Sequence, residues 1–163
     1  MLQGRPVSPA DVPKLEYTNR VIKEVLRLYP PAWILARRVT KACVIDGWRF
    51  PARSVMLVSP YVLHRLPESF ENPEGFDPDR WLREDKVPRG AYLPFSMGAR
   101  KCIGDGFALM EAALILATIL PRVSLQLVPG QTVEPEPVIT IRPRGGIQMV
   151  ARSVSVDPPP NSR

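Results

Sequence analysis

Hydrophobic positions fall in short blocks whose spacing changes several times along the chain. Between Thr18 and Leu28, Val21, Val25 and Leu28 recur at helical spacing, Ile22 and Leu26 widen the stripe, and Pro30-Pro31 closes it. A tightly packed helix is predicted there. Upstream, Ser8-Pro9-Ala10-Asp11 reads as a capping box with proline at the first helical position, and Pro13 keeps that turn short. Trp33 to Val39, Cys43 to Ile45, Trp48 to Phe50 and Val55 to Ser59 have the short apolar runs of strands. With Asp46-Gly47 as a hairpin turn, they predict one small antiparallel sheet.

From Pro60 to Pro94, prolines recur among charged and aromatic residues, which predicts one short helix and then a meandering coil. So long a coil inside a compact domain is usually functional. Gly104 to Leu120 is apolar on nearly every face, the pattern of a helix surrounded by protein. After Pro121, Ser124 to Val128, Val138 to Ile141 and Ile147 to Ala151 predict a terminal sheet. Residues 1–152 are thus expected to form one unit, mainly α with small antiparallel β-sheets (an α+β pattern), followed by a disordered tail over 153–163.

Composition adds limits. The 163 residues include 20 prolines, which disfavours long uninterrupted helices, and 45% apolar residues, enough for a buried core. A net charge of +6 favours anionic partners without choosing among them. Cys43 and Cys102 lie far apart with no Cys-x-x-Cys spacing, so neither a zinc site nor a disulfide framework is signalled, and a reducing compartment is expected. No signal pattern opens the chain, and the longest apolar-rich stretch, Phe107 to Leu120, contains Glu111 and is too short to span a bilayer. No Gly-x-Gly-x-x-Gly pattern and no second histidine occur, which sets aside phosphate-loop and Ser/His/Asp chemistry.

The densest chemistry lies in Phe95-Ser96-Met97-Gly98-Ala99-Arg100-Lys101-Cys102-Ile103-Gly104. A cysteine at the start of a helix beside Arg100 and Lys101 is favoured as thiolate, the form that binds metal. Gly98 and Gly104 permit unusual backbone angles and close approach of a flat ligand, and Phe95 could lie near its face. Glu24 and Arg27 stand three apart on one helical face, a spacing that by itself signals only a surface ion pair. His64, the lone histidine, is expected to be a hydrogen-bonded structural residue, and Cys43 an ordinary strand residue.

These motifs together resemble the cytochrome P450 family. Phe95, Gly98, Arg100, Cys102 and Gly104 fill its haem-loop pattern Phe-x-x-Gly-x-Arg-x-Cys-x-Gly, Glu24 and Arg27 its Glu-x-x-Arg, and Phe76-Asp77-Pro78-Asp79-Arg80-Trp81 its Phe-x-Pro-x-Arg-Phe/Trp, with Asp79 where glutamate is frequent. The resemblance implies haem b with Cys102 as the axial ligand to the iron and Arg100 on a propionate. It also implies a second propionate contact from Arg37, with Arg38 as the alternative, and a structural triad of Glu24, Arg27 and Arg80. It further implies a monooxygenase that inserts one atom of dioxygen into a small organic substrate, and Pro31 to Ala36 and the Val138 to Ile141 region are the segments that would approach that substrate. Electrons would come from a ferredoxin or flavoprotein docked on Arg83, Lys86, Arg89, Arg100 and Lys101. A cytoplasmic setting is expected, with no nucleic-acid partner and no membrane segment in this chain. The family's oxygen-activating helix would precede the Glu24 helix and lie outside this sequence, so a haem-binding module or a non-functional truncated fragment is the alternative.

Overall fold

The computed structural model describes residues 5–154. The chain enters through a 3₁₀ turn, Pro9–Lys14, capped as its sequence predicts: the Ser8 N–H and hydroxyl both donate to the Asp11 carboxylate, at 3.0 and 2.7 Å. Arg5 grips the same carboxylate through both terminal nitrogens. Hydrogen bonds from Arg5 and Ser8 hold the Asp11 carboxyl well below the usual carboxylate range, against a smaller opposing effect of burial.

Helix α1 spans Glu16–Leu28 and stops before the Pro30-Pro31 pair. Its inward face differs from the predicted stripe. Ile22 and Leu28 are buried, but so are Glu24 and Arg27, while Val25 is 42% exposed. The helix has turned its charged pair inward because the segment after residue 70 supplies the polar partners that make this burial tolerable.

Four short strands follow, β1 (Leu35–Arg38), β2 (Cys43–Ile45), β3 (Trp48–Phe50) and β4 (Val55–Val58). Instead of one sheet they form two ladders, β1 with β4 and β2 with β3, each antiparallel. The β2–β3 turn has the form its Asp-Gly sequence favours, with positive φ at Asp46 (50°) and Gly47 (79°). Helix α2 (Pro60–Leu63) opens the coil, and a 3₁₀ segment, Pro78–Lys86, interrupts it. The coil and this segment together build the core: Phe70, Trp81 and Ala91 are buried together, with Val87 and Tyr92 packed against them.

Helix α3 (Asp105–Ile119) packs on α1 and on the Pro9–Lys14 turn. Ala113 is its one fully buried residue, and Phe107, Ile115 and Ile119 are exposed, so described protein covers only part of its apolar surface. The terminal strands are β5 (Val123–Leu127), β6 (Pro135–Pro137), β7 (Ile141–Pro143) and β8 (Met149–Ser153). β5 pairs with β8 and β6 with β7.

Two expectations change here. Val138 to Ile141 is not a strand: residues 138–140 form the bend between β6 and β7, and Ile139 is almost fully exposed. Pro135 and Pro137 are accommodated in β6 because in a two-stranded ladder a residue lacking N–H can face away from its single partner. The tail does not start at residue 153, since Ser153 ends β8 and the Val154 N–H donates to the Arg122 carbonyl at 2.8 Å; residues 155–163 lie outside the described residues.

Phe70 is 2% exposed at the centre of the core, with the Arg27 guanidinium 5.4 Å from its ring. Phe70→Ala should therefore lower unfolding free energy by about 3–5 kcal/mol, read from a urea titration, with Phe70→Leu losing less.

Candidate functional site

The interior beside this core is built on the Glu24 carboxylate. Arg27 donates to it from Nε (3.0 Å) and Nη2 (2.8 Å), Arg80 from Nε (3.0 Å), Trp81 from Nε1 (3.0 Å) and Asp77 from its backbone N–H (2.9 Å). Arg27 uses its remaining donors on the carbonyls of His64, Pro73 and Gly75, so all five of its N–H groups are occupied. Arg80 reaches the Glu71 carbonyl at 2.8 Å. Burial alone would raise the Glu24 carboxyl. The hydrogen bonds from Arg27, Asp77 and Arg80 and the charge of Arg27 outweigh it and hold the group below the usual carboxylate range. One anion with two cations and no exposed reacting atom is a structural device.

His64 is fully buried beside it. Its Nε2 accepts the Leu93 N–H at 2.7 Å, and its Nδ1 lies 3.1 Å from the Arg27 carbonyl, which assigns the ring the neutral tautomer with hydrogen on Nδ1. Burial, aided by the charges of Arg27 and Arg65, pushes its pKa down to about 4.

The loop from Leu93 to Gly104 follows. The Cys102 N–H donates to the Phe95 carbonyl at 2.9 Å and the Lys101 N–H to the Gly98 carbonyl at 3.0 Å, closing a tight loop with positive φ at Ser96 (63°) and Gly98 (71°). Glycine meets the second requirement without strain. Gly104 caps α3, and a Cβ there would stand 3.9 Å from the Cys102 Sγ. Cys102 is exposed. Lys101 departs from expectation, because its ammonium pairs with Asp105 one helical turn on, so that cation is shared with a carboxylate and not devoted to the cysteine.

A concavity of about 340 Å³ opens at this loop. Pro31, Ala32, Leu35, Pro94 and Phe95 give it apolar walls, and Arg37, Arg100 and Cys102 its polar points. Among the described residues Arg37 bonds only neutral groups, the Ala36 carbonyl and the Ser96 hydroxyl. Arg38 does not line the concavity. The Val138 carbonyl accepts from Trp33 Nε1 at 2.8 Å, and the Ile141 N–H donates to the Pro31 carbonyl at 3.0 Å, bringing the β6–β7 hairpin beside the Pro31–Leu35 wall. An accessible sulfur, apolar walls and two guanidinium groups fit a flat, apolar, doubly anionic group such as haem. Among the described residues no cluster of His, Cys, Asp and Glu offers a multidentate metal site, and no helix is long and apolar enough to cross a membrane.

The family model described as Cytochrome P450 matches residues 1–149. Cyclooctatin synthase of Streptomyces melanosporofaciens is 48% identical over 152 residues, covering 92% of this chain and 33% of that protein. Pentalenene oxygenase of Streptomyces avermitilis is 41% identical over 143 residues, 86% of this chain and 32% of that protein. The crystal structure of the cytochrome P450DA heme domain superposes with a TM-score of 0.84 at 30% identity, covering 91% of this chain and 34% of that one. The chain belongs to the cytochrome P450 family. It spans about a third of the length of these relatives. Membership implies a haem cofactor, and members generally draw on redox partners and organic substrates.

Two functional contacts escaped the sequence reading. Trp81 was visible as part of a motif, but nothing marked its indole N–H as a donor to Glu24, and the Leu93 to His64 bond joins residues 29 apart. The sequence marked His64 as a hydrogen-bonded structural residue but named no partner for it.

Glu24→Gln removes the shared anion and leaves two guanidinium groups facing an amide, so a loss of about 3–5 kcal/mol is expected in urea unfolding. Acid gives a second signature. The unfolded His64 takes up its proton near pH 6.5 and the folded one only near 4, so its neutral burial costs up to about 3 kcal/mol of stability as pH falls through that window, levelling below it. Glu24 acts lower, its stabilisation being lost as pH falls through its depressed folded value. Urea titrations at pH 7 and pH 4.5 should therefore show a smaller pH effect in His64→Gln than in wild type.

Proposed function

We propose that this chain is the haem-ligating part of a cytochrome P450 monooxygenase, with residues 1–152 as its C-terminal portion and Cys102 as the thiolate ligand to the iron. The observation that carries this is the concavity in which an exposed Cys102, Phe95, Arg37 and Arg100 converge. Thiolate-ligated haem, when bound, supplies the oxygen activation by which one oxygen atom enters an organic substrate. In this reading Arg100 and Arg37 hold the two propionates, for which paired guanidinium donors are suited. Phe95, which lines the concavity, would lie against the bound group, and Gly98 lets the loop turn. Arg37 is preferred to Arg38 because it lines the concavity.

The substrate is taken to be a small, largely apolar organic molecule. Relatives named pentalenene oxygenase and cyclooctat-9-en-7-ol 5-monooxygenase support that class, and the β6–β7 hairpin beside Pro31–Leu35 would be its nearest contact from this chain. Electrons would come from a ferredoxin or flavoprotein with an acidic face, since Arg83, Lys86, Arg89, Arg100 and Lys101 are all exposed. A cytoplasmic location accords with two unpaired cysteines.

Haem reconstitution followed by the reduced carbon monoxide spectrum tests the ligand. A thiolate-type Soret shift is expected in wild type and its loss in Cys102→Ser. Arg100→Ala and Arg37→Ala should each weaken haem retention by about tenfold or more, measured as transfer to apomyoglobin, because each removes a charged hydrogen-bond donor. A wild-type spectrum in Cys102→Ser would overturn the assignment.

A further inference from the structure

We propose that His64 is a positioning residue for the cysteine loop: its ring ties the first amide of that loop to the C-terminal turn of α1, so that the buried Glu24 network and the Cys102 sulfur are held in one rigid register. The link to haem rests on the reading of Cys102 above; the tie itself rests on hydrogen bonds within this chain.

The contacts form a continuous path. Arg27 Nη1 donates to the His64 carbonyl at 2.9 Å, and His64 Nδ1 returns a bond to the Arg27 carbonyl at 3.1 Å, so the two residues grip each other through main chain and side chain in both directions. Helix α1 ends at Leu28, so the Arg27 carbonyl has no amide of a following helical turn to accept from, and the imidazole fills that place. On the other side of the ring, Nε2 accepts the Leu93 N–H at 2.7 Å. The Leu93 carbonyl in turn accepts the Ser96 N–H at 3.1 Å, and the Phe95 carbonyl accepts the Cys102 N–H at 2.9 Å. Pro94 keeps Leu93 extended, so fixing the Leu93 amide fixes where the chain enters the loop.

The chemistry asks for this side chain in particular. The path needs a donor facing Arg27 and an acceptor facing Leu93 on opposite sides of one small rigid group, which neutral imidazole offers. Complete burial keeps the ring in that form, and Tyr92, 5.1 Å away by ring centroids, packs beside it. A protonated ring would offer two donors and could not accept from Leu93.

Conservative replacements separate positioning from space filling. Glutamine sets its amide oxygen near the place of Nε2, asparagine reproduces the Nδ1 side alone, and phenylalanine fills the volume with neither bond. In the haem-free 163-residue chain, amide hydrogen exchange is followed at Leu93 and, as a measure of global opening, at Leu28. Relative to Leu28, Leu93 should exchange at least about tenfold faster in His64→Phe and His64→Asn than in wild type, and near the wild-type rate in His64→Gln. After haem loading, the fraction showing a thiolate-type carbon monoxide spectrum should follow the same order, with Cys102→Ser testing the ligand separately. A Leu93-to-Leu28 ratio in His64→Phe equal to wild type would overturn the proposal. Should that variant fail to fold, equal ratios in the asparagine and glutamine variants would do the same. The expected exchange order with no thiolate spectrum in any variant would uphold the tie and strike only the haem reading.

Discussion

Five donors converge on the carboxylate of Glu24 from stretches of chain up to 57 residues apart. Without it, Arg27 would be a fully buried cation and Arg80 a nearly buried one, each lacking its counter-ion, and the coil from Ser69 to Gly75 would lose the cations that organise its carbonyls. The aromatic cluster stands on the same support, because Trp81 is both a wall of that core and a donor to Glu24. A buried ion group contributes little net stability compared with well-packed apolar side chains of similar size. What it contributes is direction. Glu24 can satisfy its lone pairs only when α1, the coil and the Pro78–Lys86 segment meet at one angle.

That constraint explains where the sequence was readable and where it was not. The motif at Glu24 and Arg27, the Asp46-Gly47 turn, the capping box at Ser8 and the apolar helix before Pro121 are local, and each followed from spacing or turn chemistry. The inward face of α1 was misjudged because apolar periodicity assigns burial to Val21 and Val25, whereas partners supplied from more than 45 residues away buried Glu24 and Arg27 instead. The chain intervening between them hid the pairing of β1 with β4 around the β2–β3 hairpin, whereas the strand that contains Pro135 and Pro137 pairs locally with β7 and was hidden because it lacks the apolar run that marks a strand. In the candidate site, Cys102, Phe95 and Arg100 were legible as a motif, but the convergence of Arg37 with them depends on β1 crossing to the loop, where Arg37 reaches Ser96.

The cysteine loop owes its shape to main-chain bonds and two left-handed residues, only one of which is glycine. Ser96 holds φ of 63°, a conformation that costs a non-glycine residue on the order of 1 kcal/mol, and its hydroxyl receives Arg37 in that pose. The strained residue is thus also the one that docks a cation at the rim of the concavity.

Arg27 has a further property. Apart from Glu24, every group to which it donates a hydrogen bond is a backbone carbonyl, on His64, Pro73 and Gly75. A carbonyl is supplied by any amino acid, so this arginine reads the path of the coil and not its lettering. Neutral drift can therefore rewrite exposed coil side chains freely as long as the route is kept, while lysine, with three donors and no planar fork, cannot inherit the role. A stretch that appears unconstrained letter by letter can be among the most constrained in course.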